Sequence, residues 1–82
     1  MSKIRVLIAE DHTMVRQGLR ALLDREGFEV VGEASNGYEA VQSSADSEPD
    51  VVVMDISMPV MNGVDAAQEL SQRSPKTKAV LL

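Results

Sequence analysis

Cysteine is absent from this chain of 82 residues. That excludes a disulfide framework and a thiolate zinc site. Long apolar runs are absent too: nothing approaches the roughly 18 consecutive apolar residues of a membrane span. The opening MSKIRVLIAEDH lacks the apolar stretch ending in small residues that marks secretion. The sequence therefore reads as cytoplasmic, with no membrane partner. Positive charge is scarce, with eight Lys and Arg against 13 Asp and Glu and a net charge of −5. Phosphate backbones need cations in excess, so nucleic-acid binding by these residues is not expected. Internal repeats, linkers and low-complexity segments are also missing, and the length suits one small domain.

What is present is alternation. Ile4 to Ala9 is a short β-branched apolar run and predicts a buried strand. Met14, Val15, Leu19, Leu22 and Leu23 recur at helical spacing, with Gly27 as a stop. Phe28 to Ala34 predicts a second strand, less apolar than the first. Asn36-Gly37-Tyr38-Glu39 has the form of an N-cap with a Glu three residues on, predicting a helix over 37–45. After the break at Pro49-Asp50, Val51 to Met54 predicts a third strand. Asn62-Gly63 opens a helix with Val64, Ala67 and Leu70 on one face, closed near Ser74-Pro75. Lys78 to Leu82 begins a fourth strand. The order β-α-β-α-β-α-β predicts an α/β fold: a parallel sheet with helices on both faces and right-handed crossovers. The second strand is expected at an edge.

In such sheets ligands sit beyond the carboxyl ends of the central strands. The first strand runs out into Glu10 and Asp11, and the third runs out at Asp55. As neighbours about 4.8 Å apart, these strands would bring all three carboxylates to one rim. Such a cluster repels itself, and a divalent cation relieves it. Hard oxygen ligands at a wet site suit Mg²⁺. One carboxylate there can also attack a phosphoryl donor. Asp55, ending the most apolar strand, is the candidate nucleophile, with Glu10 and Asp11 as metal ligands. A bland reading stands beside this one: acids commonly end strands, and Asp11 suits the N-cap of the first helix.

The segments VLIAEDH and VVVMDISMPVMNG, and the spacing between them, resemble the receiver domain of two-component response regulators. The opening EDHTMVRQGLRALL resembles the subgroup that carries a C-terminal helix-turn-helix DNA-binding domain. The resemblance implies a flavodoxin-like doubly wound sheet with strand order 2-1-3-4. It implies that Asp55 accepts a phosphoryl group from a histidine kinase. It also implies that Asp11, Asp55 and the carbonyl of Ser57 bind Mg²⁺ directly, with Glu10 acting through water. Glu10-Asp11 stands where many relatives have Asp-Asp, and Ser57 occupies a position that influences phosphate loss. The family's Ser or Thr after the fourth strand and its Lys after the fifth have no counterpart here. The expectation is thus an incomplete receiver over 1–82 without an output domain, short of about 40 residues of helix, strand and loop. Its fourth strand would be an exposed edge that favours self-association, and its output switch would be impaired.

Other residues attract blander readings. His12 is expected at the helix start, Gly18 against the sheet, and Met14, Met54, Met58 and Met61 in core or loop packing. Arg16, Arg20 and Arg25 read as a solvated helix face. Two competing functions remain. A haloacid-dehalogenase-like phosphatase needs a second Asp two residues after the nucleophile as its proton donor, and that position is Ser57. A non-catalytic interaction module would use the bare strand edge instead. Nucleotide hydrolysis lacks its G-x-x-x-x-G-K-[ST] loop.

Overall fold

A computed structural model describes residues 3–82. The elements follow the expected order: β1 (Arg5–Ala9), α1 (Thr13–Arg25), β2 (Glu29–Ala34), α2 (Gly37–Ser47), β3 (Val51–Met54), α3 (Gly63–Arg73) and β4 (Lys78–Leu81). All strand pairs are parallel, and the spatial order is β2-β1-β3-β4. This is the doubly wound sheet with the expected order 2-1-3-4, and β2 and β4 lie at its edges. Among the described residues no helix is long and apolar enough to cross a membrane.

Two helices start on side-chain caps that the sequence announces. Asn36 accepts from the Glu39 amide at 2.8 Å, and Asn62 accepts from the Asp65 amide at 2.9 Å. Each satisfies an amide that the helix itself leaves unpaired, and each stabilises by about 1 kcal/mol. Glu39 reaches back to the Ser35 amide and hydroxyl, both at 2.9 Å. The α2 helix runs to Ser47, two residues past its expected end.

The core lies on the α2–α3 side of the sheet. Leu7, Ala9, Val52 and Met54 point there and meet Ala40, Val41, Ala66 and Leu70. Small alanines on the helices let the backbones approach, and the larger strand residues fill the remaining volume. Burying a Leu or Met here contributes roughly 1.5–3 kcal/mol. Alternation along β1 sends Val6 and Ile8 to the other face, where both are buried.

That other face is held less tightly. α1 contacts β1 and β2, yet none of its residues is fully buried. Leu19 and Leu23 are half-buried; Val15 and Leu22 are exposed, and Met14 is 88% exposed. The expected core role of Met14 is therefore incorrect. Gly18 also departs from expectation: a Cβ there would meet nothing within 4 Å, so no close packing explains it. Every residue of β4 is exposed.

Candidate functional site

The acidic corner is built by strand register. Ala9 of β1 pairs with Met54 of β3, so Glu10 and Asp55 leave adjacent strands at the same level. The ladder continues beyond both ends. The Asp55 amide donates to the Ala9 carbonyl at 3.1 Å, and the Glu10 amide donates to the Ala34 carbonyl at 2.9 Å. The main chain at the rim is thus fixed, and the side chains project from fixed points. Carboxylate oxygens of Glu10, Asp11 and Asp55 and a ring nitrogen of His12 all lie within 4.8 Å of one another.

The three acids are not equivalent. Glu10 is buried, at 7% exposure. Asp11 and Asp55 are half-buried, and His12 is exposed. The Asp11 amide donates to Glu10 Oε2 at 2.8 Å. Burial pushes the Glu10 carboxyl above the ordinary carboxylate range. Hydrogen bonding with the Asp11 and Asp55 carboxyls and the Asp55 charge push the same way, and hydrogen bonding from the His12 main chain opposes them. The Ser57 amide donates to Asp55 Oδ1 at 3.2 Å, which orients that carboxylate.

Asp11 does not cap α1. The N-cap is His12, and no side chain caps this helix. Asp11 Oδ1 lies 3.2 Å from His12 Nδ1, but it is buried without a hydrogen-bond partner. A buried, unpartnered carboxylate oxygen is costly unless something binds it. The donors are hard oxygens, and they fit Mg²⁺ through Glu10, Asp11 and Asp55. His12 is exposed at the helix start and adds one ring nitrogen to the same cluster.

Three residues around the site have features that no pattern in the sequence marks. Arg16 does not face solvent: its Nε donates to Glu33 Oε1 at 2.8 Å and its Nη1 to the Glu10 carbonyl at 2.7 Å. The solvated-face reading is therefore incorrect for Arg16; Arg20 also pairs with Glu33 but keeps its side chain 43% exposed. Gly63 is the second. A Cβ there would stand 2.5 Å from the Asp55 carbonyl oxygen, so α3 starts directly against the main chain of the candidate nucleophile. Val60 is the third. It holds a left-handed φ of 68° in the loop after Asp55, where a β-branched residue is strained. No sequence pattern marks it.

A cavity of about 520 Å³ lies at the opposite rim, lined in part by Asp50, Arg73, Pro75, Lys76 and Thr77. Its polar groups are partly engaged in holding the chain. Asp50 Oδ2 accepts from the Arg5 amide, and the Thr77 hydroxyl donates to the Pro49 carbonyl. It lies at the far end of the strands from the acids.

The class defined by this fold and this rim is shared with known proteins. The chain belongs to the response regulator receiver domain family, whose model matches residues 6–82. It is 44% identical over 77 residues to the chemotaxis protein CheY of Thermotoga maritima, covering 94% of this chain and 64% of CheY. The signal receiver domain of the response regulator NarL from Mycobacterium tuberculosis superposes with a TM-score of 0.90 at 34% identity, over 99% of this chain and 66% of that one. A complex of CheX and CheY with BeF3 and Mg²⁺ from Borrelia burgdorferi gives a TM-score of 0.91 at 26% identity, over 95% and 60%. The chain spans 60–66% of the lengths of these three matched chains, and only 34–37% of transcriptional regulatory proteins that it also resembles, such as PdtaR of Mycobacterium tuberculosis and YhcZ of Bacillus subtilis. Receiver domains are phosphoacceptor modules of two-component systems. They bind Mg²⁺ at an acidic pocket and interact with histidine kinases.

Proposed function

We propose that this chain takes a phosphoryl group from a histidine kinase onto Asp55, acting in the cytoplasm. Asp11, Asp55 and the Ser57 carbonyl would hold Mg²⁺, with Glu10 assisting from beside them. The observation that carries this reading is the meeting of three carboxylates at one rim, with Asp11 Oδ1 buried and unpartnered. The similar CheX–CheY complex, which contains BeF3 and Mg²⁺, agrees with it.

The residues divide the work. Asp55 Oδ1 accepts the Ser57 amide, which turns the carboxylate and leaves its other oxygen for attack on phosphorus. As the new O–P bond forms, the N–P bond to the donor imidazole breaks, and its electron pair returns to that nitrogen. Mg²⁺, when bound, neutralises charge developing on the transferring oxygens. Glu10, buried beside Asp55, adds negative charge that favours the cation. Ser57, exposed two residues from the acceptor, lies where its side chain affects later loss of the phosphate.

The test is incubation with Mg²⁺ and a small phosphodonor, followed by mass spectrometry. A phosphoryl adduct that disappears in Asp55→Asn supports the reading, and an adduct that persists in that variant sinks it. The exposure of all four β4 residues favours a second reading, association of copies through that edge without phosphate chemistry. Sedimentation separates the two: concentration-dependent mass with no Mg²⁺ response and no adduct selects the second.

A further inference from the structure

We propose that Arg16 is a positioning residue for the metal-binding limb, acting through the peptide unit that joins Glu10 to Asp11. This rests on the reading of the acidic corner as a Mg²⁺ site. The peptide is clamped at both ends. Its carbonyl accepts from Arg16 Nη1 at 2.7 Å, and its amide donates to Glu10 Oε2 at 2.8 Å. One guanidinium therefore holds the plane from which both acidic side chains depart.

Arg16 is itself held. Its Nε donates to Glu33 Oε1 at 2.8 Å, and its side chain is only 16% exposed. Glu33 also binds Arg20, so the acid on β2 is anchored from a second side. The result is a chain of charge and dipole: Glu33, Arg16, peptide carbonyl, peptide amide, Glu10 carboxylate. Each link polarises the next. A cation at the carbonyl makes the amide a stronger donor to Glu10 Oε2, and that steadies the buried carboxylate for the ion. Planarity of the peptide unit couples the two ends mechanically. Lysine does not reproduce this, because only the guanidinium presents a rigid fork to two acceptors at once.

Arg20 supplies the control. It shares Glu33 and pairs with Asp24, and it donates nothing to the Glu10–Asp11 peptide. Removing either arginine takes a cation from Glu33; only Arg16 touches the limb. Mg²⁺ affinity is measured by calorimetry on the whole chain, with the Glu10 carbonyl ¹³C shift read by NMR without metal. In Arg16→Ala affinity falls roughly 10- to 100-fold, as for other groups that orient metal ligands, and the Glu10 carbonyl signal moves upfield. Arg20→Ala keeps wild-type affinity and the wild-type carbonyl shift. If Arg16→Ala does not fold, Arg16→Lys serves in its place, and weakened affinity with a moved carbonyl signal is again expected. A folded Arg16 variant with wild-type Mg²⁺ affinity overturns the inference while leaving the site standing, as does an Arg20→Ala loss equal to that of Arg16→Ala. A wild-type chain that binds no Mg²⁺ overturns the site reading and this inference with it.

Discussion

Replacing Gly63 by alanine puts one methyl group against the floor of the site. Its Cβ would lie 2.5 Å from the Asp55 carbonyl oxygen, 3.0 Å from Ile56 Cα and 3.2 Å from the Asp55 carbonyl carbon. All three neighbours are main chain, so no flexible side chain can swing away. Relaxed contact begins near 3.5 Å, so α3 and the end of β3 must part by about 1 Å. The Gly63 amide bond to the Ile56 carbonyl, 2.9 Å long, resists that movement. Overpacking of this kind costs about 1–3 kcal/mol, and the better helix propensity of alanine offsets up to about 1 kcal/mol. For a domain of this size the melting midpoint falls by about 4–8 °C per kcal/mol. The chemical effect is larger, because a misplacement of about 1 Å at a reacting group can cost on the order of 10²-fold in rate. Thermal melts followed by circular dichroism, with adduct formation timed at saturating Mg²⁺, read both effects. A Gly63→Ala chain that melts and reacts as wild type would refute the claim that α3 supports Asp55 from beneath. A lower midpoint with an unchanged rate would refute its chemical half.

Val60→Asn keeps the left-handed turn with a residue that tolerates it, and it is expected to stabilise by about 1 kcal/mol in denaturant titrations. Glu33 is held below the ordinary carboxylate range first by the Arg20 hydrogen bond and then by Arg16, against its burial. Its stabilising contribution is present above the unfolded glutamate value of 4.5 and is lost as pH falls through the depressed folded value. Glu33→Gln should therefore show a shallower loss of stability on acidification than wild type. Glu10 carries the opposite sign in the metal-free chain: with its folded value raised, stability is lost as pH rises through that value. Glu10→Gln is then expected to melt higher than wild type at neutral pH in chelator, and to bind Mg²⁺ more weakly.

Much of the fold was readable because each signal was local. The apolar runs Val6 to Ala9 and Val51 to Met54 carry no polar alternation, which suits strands covered on both faces. The asparagines at 36 and 62 marked two helix starts correctly because a cap acts only three residues ahead. Helix α1 was legible as a helix but not in its packing. The same apolar spacing describes a buried stripe and an exposed one, and which of these Met14, Val15 and Leu22 form depends on what lies opposite them.

The acids at positions 10, 11 and 55 could be named from the chain alone, because strand ends and residue types are one-dimensional properties. Their meeting within 4.8 Å followed from parallel pairing of β1 with β3; the alternating pattern foretold a parallel sheet, and only the family resemblance implied that these two strands are neighbours. The roles of Arg16 and Gly63 had no such local mark. An arginine on a helix looks solvated until Glu33 from another strand and the Glu10 carbonyl are placed before it. A glycine at a helix start looks like a convenience until the Asp55 main chain arrives at a distance no Cβ tolerates. Contacts across tens of residues arise only when the sheet brings remote segments together, and pattern along a chain carries no record of them.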